Sequence, residues 1–198
     1  MPCVRQRGPR DGTRQGVVSV AIYGLGNVLR RDDGFGPSAA ARLEASHEFP
    51  PGVEIRDLGT PGLDLASHLV GRDAVVFLDT ARGEGPPGTI HVYGRDEILS
   101  QPPPDARVTG HELDVRAALI LADLVGGGPR VVRFVGVVPE DLGDGIGLSG
   151  AVLAALGPAT ALALAELARL GVAPRPRSEP LAMDAWWERG SGVATERR

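Results

Sequence analysis

The sequence predicts an α/β protein in which a mostly parallel, twisted sheet of about five strands has helices on both faces. This is a three-layer sandwich. Two observations predict it. Short apolar runs alternate along the chain with longer segments of helical periodicity. The run Ala74–Leu78 is too short for a helix and is uniformly apolar, which is typical of a parallel strand buried on both faces.

The first half of the domain is predicted to contain three strands and two helices. A strand over Val17–Tyr23 precedes a helix over Pro37–Ser46, because proline suits the first turn of a helix. A short strand, a short helix and the buried strand follow, over Val53–Asp57, Leu63–Leu69 and Ala74–Leu78.

The second half is predicted to begin with a strand over Thr89–Tyr93. Apolar residues lie along one helical face of Glu112–Val125, and consecutive glycines end that helix. The last strand covers Val131–Val138. A long helix over Leu148–Leu170 closes the domain, with a kink or a new start expected at Pro158 because proline lacks a backbone donor.

The chain of 198 residues suits one domain, predicted over residues 17–172. Polar composition predicts a flexible N-terminal tail over residues 1–16 and a mostly flexible C-terminal tail over residues 173–198. Trp186 and Trp187 are the exception in the second tail, where packing on the domain and contact with a partner are both open.

Charge and cysteine content narrow the classes of partner. A net charge of −4 gives no basic excess for nucleic-acid binding. Cys3 is the only cysteine, which excludes an intramolecular disulfide and a thiolate metal cluster and suits a reducing compartment. No window approaches about 18 uninterrupted apolar residues, the length of a membrane span, and the N-terminus lacks the apolar stretch of a secretory signal. These features predict a cytoplasmic protein without a membrane partner.

Three polar residues are predicted to meet at one edge of the sheet. Asp33 follows the first strand, Asp79 comes directly after the run Ala74–Leu78, and His111 lies where a loop enters a helix. In a mostly parallel sheet, ligands collect beyond the carboxyl ends of the strands, so these positions converge on one crevice.

Two carboxylates and an imidazole are a candidate divalent-metal site with open positions for water or substrate. Nickel, zinc, iron and cobalt suit these ligands about equally, whereas copper(I) and iron–sulfur clusters do not. Each residue also has a purely structural interpretation, since an aspartate that opens a helix is commonly a cap and a loop histidine is commonly just hydrogen-bonded. Only their joint placement favours a site.

Two competing motifs fail. A dinucleotide fingerprint beginning at Gly24 has Leu29 in place of its third glycine, although Asp57 could mimic a ribose acceptor. His111 and Glu112 begin like a zinc-protease motif, but Val115 stands where the second histidine is required. No P-loop is present, and no nucleotide cofactor is therefore expected.

Four separated motifs carry a family resemblance: G-L-G-N-V-L-R-R-D-D-G-F-G, L-D-T-A-R-G with P-G-T-I, T-G-H-E-L, and V-G-V-V-P-E-D-L with G-L-S. In this order and spacing, over about Val17 to Leu170, the chain resembles the hydrogenase maturation proteases. The resemblance implies an α/β endopeptidase with a phosphorylase/hydrolase-like fold, aspartic-type by the label of the family. Such an enzyme removes a C-terminal peptide from the large-subunit precursor of a nickel-iron hydrogenase after nickel has been inserted.

The resemblance also implies residue roles. The metal ligands of the family fall on Asp33, Asp79 and His111, and Asp32 is the acid beside the first. Asp57 falls at a position that the resemblance implicates in contact with substrate or in cleavage. Nickel bound to the precursor would be recognised as a signal by these ligands. Asp33 or Asp79 would activate water as a general base, or the metal would polarise the carbonyl or acidify water; both routes are open. A non-catalytic nickel-sensing chaperone of the precursor is the alternative function.

Overall fold

In a computed structural model of the protein, residues 18–100, 110–183 and 185–187 are described, with side chains of the second range described from Val115 onward. A five-stranded sheet in the order β3-β1-β4-β6-β5 forms the centre. The first four strands of that order are parallel, and β5 runs antiparallel to β6 at one edge. The strands are β1 (Val20–Leu25), β3 (Val53–Gly59), β4 (Ala74–Thr80), β5 (Ile90–Gly94) and β6 (Val131–Val137), while β2 (His47–Glu48) and β7 (Arg175–Pro176) form a separate antiparallel pair.

Helices cover both faces of the sheet. They are α1 (Phe35–Ser46), α2 (Leu65–Leu69), α3 (Arg95–Ser100), α4 (Gly110–Leu124) and α5 (Gly150–Arg169). On one face, Ile22 and Val76 pack in a core with α1 and α5. On the other, Tyr23 and Phe77 pack in a core with α2 and α4. Because neighbouring residues of a central strand supply opposite cores, β1 and the run Ala74–Leu78 of β4 are buried and apolar on both faces, as the sequence indicated.

All five strands predicted from the sequence are present in the sheet, and the three-layer α/β class is confirmed. Boundaries differ by a few residues. A 3₁₀ turn over Arg31–Gly34 precedes α1, which begins at Phe35 rather than at Pro37. The helix α3 was not predicted, since six residues carry too little periodicity to be recognised.

The long helix α5 continues through Pro158, which therefore does not mark a new helix start. The lost backbone hydrogen bond is outweighed by burial of an apolar face that includes Leu156, Ala159 and Leu167. By length and composition alone, α5 would be able to cross a membrane. Its buried face shows that it is a core helix of this domain.

Part of the segment predicted as a C-terminal tail packs on the domain. Arg175–Pro176 pairs with His47–Glu48, and Ala185 and Trp187 are buried in a cluster with Val28 and Ala41. The division into tails and a domain over 17–172 stays a prediction, and residues 1–17 and 188–198 lie outside the described part of the chain.

Candidate active site

The loop after β1 carries Asp33 to the carboxyl edge of the sheet, where Asp79 lies near the end of β4. Gly26 has φ +129°, a backbone conformation that side chains disfavour. A Cβ atom at Gly26 would lie 1.9 Å from the carbonyl oxygen of Asp33 and 3.7 Å from Oδ1 of Asp79. Glycine is therefore required here, because the returning chain passes directly over this position. The Asp33 backbone carbonyl and the Asp79 carboxylate therefore both lie close to Gly26.

Asp33 lies in the 3₁₀ turn and is 4% exposed. The backbone N–H of Asn27 donates to Oδ2 at 3.1 Å, and the Thr80 hydroxyl donates to Oδ1 at 3.4 Å. The carboxylate thus connects the loop after β1 with the end of β4.

Asp79 is fully buried within β4 and lies opposite Gly136 of β6. Its Oδ1 accepts a hydrogen bond of 2.7 Å from the backbone N–H of Thr80. By strand alternation, the Asp79 side chain leaves the sheet on the same face as Phe77, toward α2 and α4. Asp33 and Asp79 thus lie at the same edge of the sheet, and their roles as metal ligands or catalytic groups stay predictions.

His111 lies in the first turn of α4. The other end of this helix is at the amino edge of the sheet, where Gly71 N–H donates to the Gly127 carbonyl at 2.8 Å. The first turn therefore lies toward the carboxyl edge, on the face that Asp79 occupies. The His111 side chain is outside the described atoms, and no group of three metal-binding side chains occurs among those that are described. A ligand role for His111 stays a prediction.

Asp57 occupies a different position from the acidic pair. It pairs in register with Gly24, and its side chain follows Val53 and Ile55 onto the face of α1 and α5. Its Oδ1 accepts from the N–H of Gly59 at 2.8 Å, and the Gly59 carbonyl accepts from Gly26 N–H at 2.9 Å. Asp57 is thus tied to the loop that carries Asp33, from the opposite face of the sheet.

Surrounding protein atoms raise the pKa of Asp57 above its usual value even though the side chain is exposed, and the Gly59 N–H offsets only part of this effect. The folded state therefore binds the proton more tightly than the unfolded state, so stability is lost as pH rises through the folded pKa. We expect Asp57→Asn to raise the thermal unfolding midpoint at pH 7 by less than about 3 °C. At a pH below the usual carboxyl pKa, the two proteins should have the same unfolding midpoint. A lower midpoint for Asp57→Asn than for the natural protein at pH 7 would contradict this account.

Asp32 has a structural role that the sequence did not reveal. It is fully buried, and its carboxylate accepts three backbone N–H groups: Glu140 and Asp141 at 2.9 Å each and Ser149 at 2.6 Å. Its own N–H donates to the Asp141 carbonyl at 3.1 Å. Asp32 thereby anchors the segment 138–149, called here the 138–149 loop, beside Asp33.

Neighbouring contacts reinforce this anchor. Arg31 forms an ion pair with Asp141 at 3.2 Å, and Arg30 Nη2 donates to the Leu142 carbonyl at 2.9 Å. Burial by itself would raise the pKa of Asp32, but the three backbone N–H groups together hold it below its usual value. The carboxylate is accordingly kept ionised to accept these bonds.

Sequence comparisons place the chain among known proteins. A family model described as hydrogenase maturation protease matches residues 37–166. The chain is 37% identical over 160 residues to the hydrogenase expression/formation protein HupM of Azotobacter chroococcum mcd 1, covering 80% of this chain and 76% of that relative. It is 31% identical over 159 residues to the hydrogenase 2 maturation protease of Escherichia coli (strain K12), covering 80% and 96%.

Comparison with solved structures finds the same family as the sequence comparisons. The hydrogenase maturating endopeptidase HybD from E. coli is similar with a TM-score of 0.74 and 31% identity, and the match covers 80% of this chain and 98% of that one. The fold, the ordered motifs and these relatives together confirm the resemblance read from the sequence. The chain belongs to the hydrogenase maturation protease family.

Proposed function

We propose that this peptidase cleaves the C-terminal extension from the large-subunit precursor of a nickel-iron hydrogenase after nickel insertion. The observation that carries the proposal is the pair Asp33 and Asp79, two buried aspartates at the carboxyl edge of the sheet whose carboxylates both accept hydrogen bonds from Thr80. This edge is where open α/β sheets bind ligands.

The donor chemistry suits nickel that arrives as part of the substrate. Asp33 and Asp79 offer carboxylate oxygens and His111 offers an imidazole, a set that a borderline divalent metal accepts. Three protein ligands leave positions for the precursor's own groups. We propose that these residues recognise the bound nickel, so that an empty precursor is not cut and cleavage acts as a checkpoint in maturation.

Two routes to peptide hydrolysis use the same residues. In the first, Asp33 or Asp79 takes a proton from water as the water oxygen attacks the scissile carbonyl, and the proton passes to the leaving amine as the C–N bond breaks, which corresponds to the aspartic-type label. In the second, the precursor's nickel polarises the carbonyl or lowers the pKa of water, and the carboxylates position the metal. Both routes require the ionisable oxygens of Asp33 and Asp79 at the site.

Asp57 is proposed to contact the substrate from the neighbouring strand end. Its exposed carboxylate and the turn through Gly59 connect it to the loop that carries Asp33. No nucleotide cofactor is proposed, and a cytoplasmic location stays a prediction.

The test uses the full chain with a nickel-loaded large-subunit precursor and measures the mass of the precursor over time. Loss of a C-terminal peptide is the expected result. An unchanged mass together with a stable complex would instead identify a non-catalytic nickel-sensing chaperone. A nucleotide-binding protein would be indicated by nucleotide-dependent shifts of the melting temperature.

A further inference from the structure

The C-terminal segment runs back along α1 toward the candidate active site. Its described residues, 175–183 and 185–187, are called here the C-terminal strap. The strap starts at the end of α1, where Arg177 N–H donates to the Ser46 carbonyl at 2.9 Å and Leu181 N–H donates to the Ala45 carbonyl at 2.9 Å. It ends at Trp187, which packs near Ala41 in the middle of the helix.

The two tryptophans of the strap are in different environments. Trp187 is 7% exposed and shares an apolar cluster with Val28, Ala41 and Ala185. Trp186 is 58% exposed and meets the Trp187 ring edge-on, with ring centroids 5.8 Å apart. Trp187 is therefore the residue that anchors the strap. Trp186, the same residue type at the neighbouring position but mostly exposed, is a suitable control for its substitution.

Val28 connects this anchor to Asp33. In the fully described loop 26–34, Val28 is the one apolar side chain that is buried, whereas Leu29 is 55% exposed. The preceding N–H, that of Asn27, donates to the Asp33 carboxylate. Val28 also lies against the turn itself, since a Cβ atom at Gly34 would be 3.2 Å from the Val28 Cα.

We propose that Trp187 is a positioning residue: by covering Val28 it holds the loop 26–34 in place, and thereby holds Asp33 in the geometry that the site requires. This inference rests on the proposed function for its effect on processing. A free loop would leave the Asn27 N–H and the Asp33 carboxylate to sample several arrangements, and small displacements of a reacting group reduce turnover steeply. Trp187 acts through Val28 and needs no contact with substrate.

The experiment compares Trp187→Ala, Trp187→Phe and Trp186→Ala in the full chain. Amide hydrogen exchange in residues 26–34 is measured without any precursor, and kcat and KM are measured on nickel-loaded precursor. We expect Trp187→Ala to accelerate exchange in this loop and to lower kcat about tenfold with little change in KM. Trp187→Phe should keep amide exchange in residues 26–34 and kcat close to the values of the natural protein. Trp186→Ala should resemble the natural protein in both.

Several results would overturn the proposal. Unchanged exchange in residues 26–34 of Trp187→Ala would show that the strap does not hold the loop. Faster exchange across the whole sheet would show a general loss of stability in place of positioning. Faster loop exchange with unchanged kcat would separate the loop from catalysis. If the natural protein processes no precursor, the proposed function fails, while the exchange measurement still decides whether Trp187 holds the loop.

Discussion

Asp33→Asn and Asp79→Asn should each lower kcat for nickel-loaded precursor by at least about 100-fold, the size of effect associated with loss of a general base. Both substitutions keep the shape of the side chain but remove the negative charge and basic oxygen. Either route to hydrolysis needs that oxygen, whether to accept a proton from water or to bind nickel. The measurement is the rate at which the precursor loses the mass of its C-terminal peptide.

The matched control is Asp64→Asn, because Asp64 is an exposed aspartate in the 3₁₀ turn before α2. It should process precursor at the normal rate. The His111→Ala variant, which lacks the predicted imidazole ligand, should also fail to process the nickel-loaded precursor. Normal processing by Asp79→Ala and His111→Ala would show that the site has been assigned to the wrong residues.

Asp32→Asn should lower the free energy of unfolding by about 2–4 kcal/mol, because hydrogen bonds to a buried charged group are worth about 1.5–3 kcal/mol each. An amide offers one acceptor oxygen where the carboxylate accepts from Glu140, Asp141 and Ser149. Its NH₂ group would also face a backbone donor. Chemical denaturation measures the change, with Asp144→Asn, an exposed aspartate of the same 138–149 loop, as the control.

The effect of Asp32→Asn should depend on pH. The folded-state pKa of Asp32 is lowered, so its ionised form contributes stability above the unfolded-state pKa of about 3.9. That contribution is lost as pH falls through the folded-state pKa. The difference between the two proteins should therefore be full at pH 7 and shrink in acid. Equal stability at pH 7 would contradict the anchoring role.

The sequence could place Asp33 and Asp79 at one edge of the sheet because a general rule relates strand ends to ligand sites. Once the apolar runs before them were recognised as strands of a mostly parallel sheet, both carboxylates were expected at its carboxyl edge, and in the structure the two strands are neighbours. No knowledge of side-chain detail was needed for that step. The same rule places Asp57 at the carboxyl edge of the sheet. The face of the sheet on which its side chain lies depends on the register of Asp57 with Gly24, which the sequence does not give.

Other roles depend on partners far away in the chain. Asp32 bonds to residues 108 to 117 positions later, and nothing near Asp32 indicates which backbone donors those are. Trp187 is buried in one cluster with Val28 and Ala41, although it lies near the opposite end of the chain. Sequence patterns report local periodicity, so contacts of this kind emerge only when the fold brings the segments together.

The central claim is that this chain recognises nickel in its substrate before it cuts. The most direct measurement presents the natural protein with the same large-subunit precursor in nickel-loaded and metal-free forms and follows the mass of each. The account predicts that only the nickel-loaded precursor loses its C-terminal peptide. Equal cleavage of the metal-free precursor would contradict it.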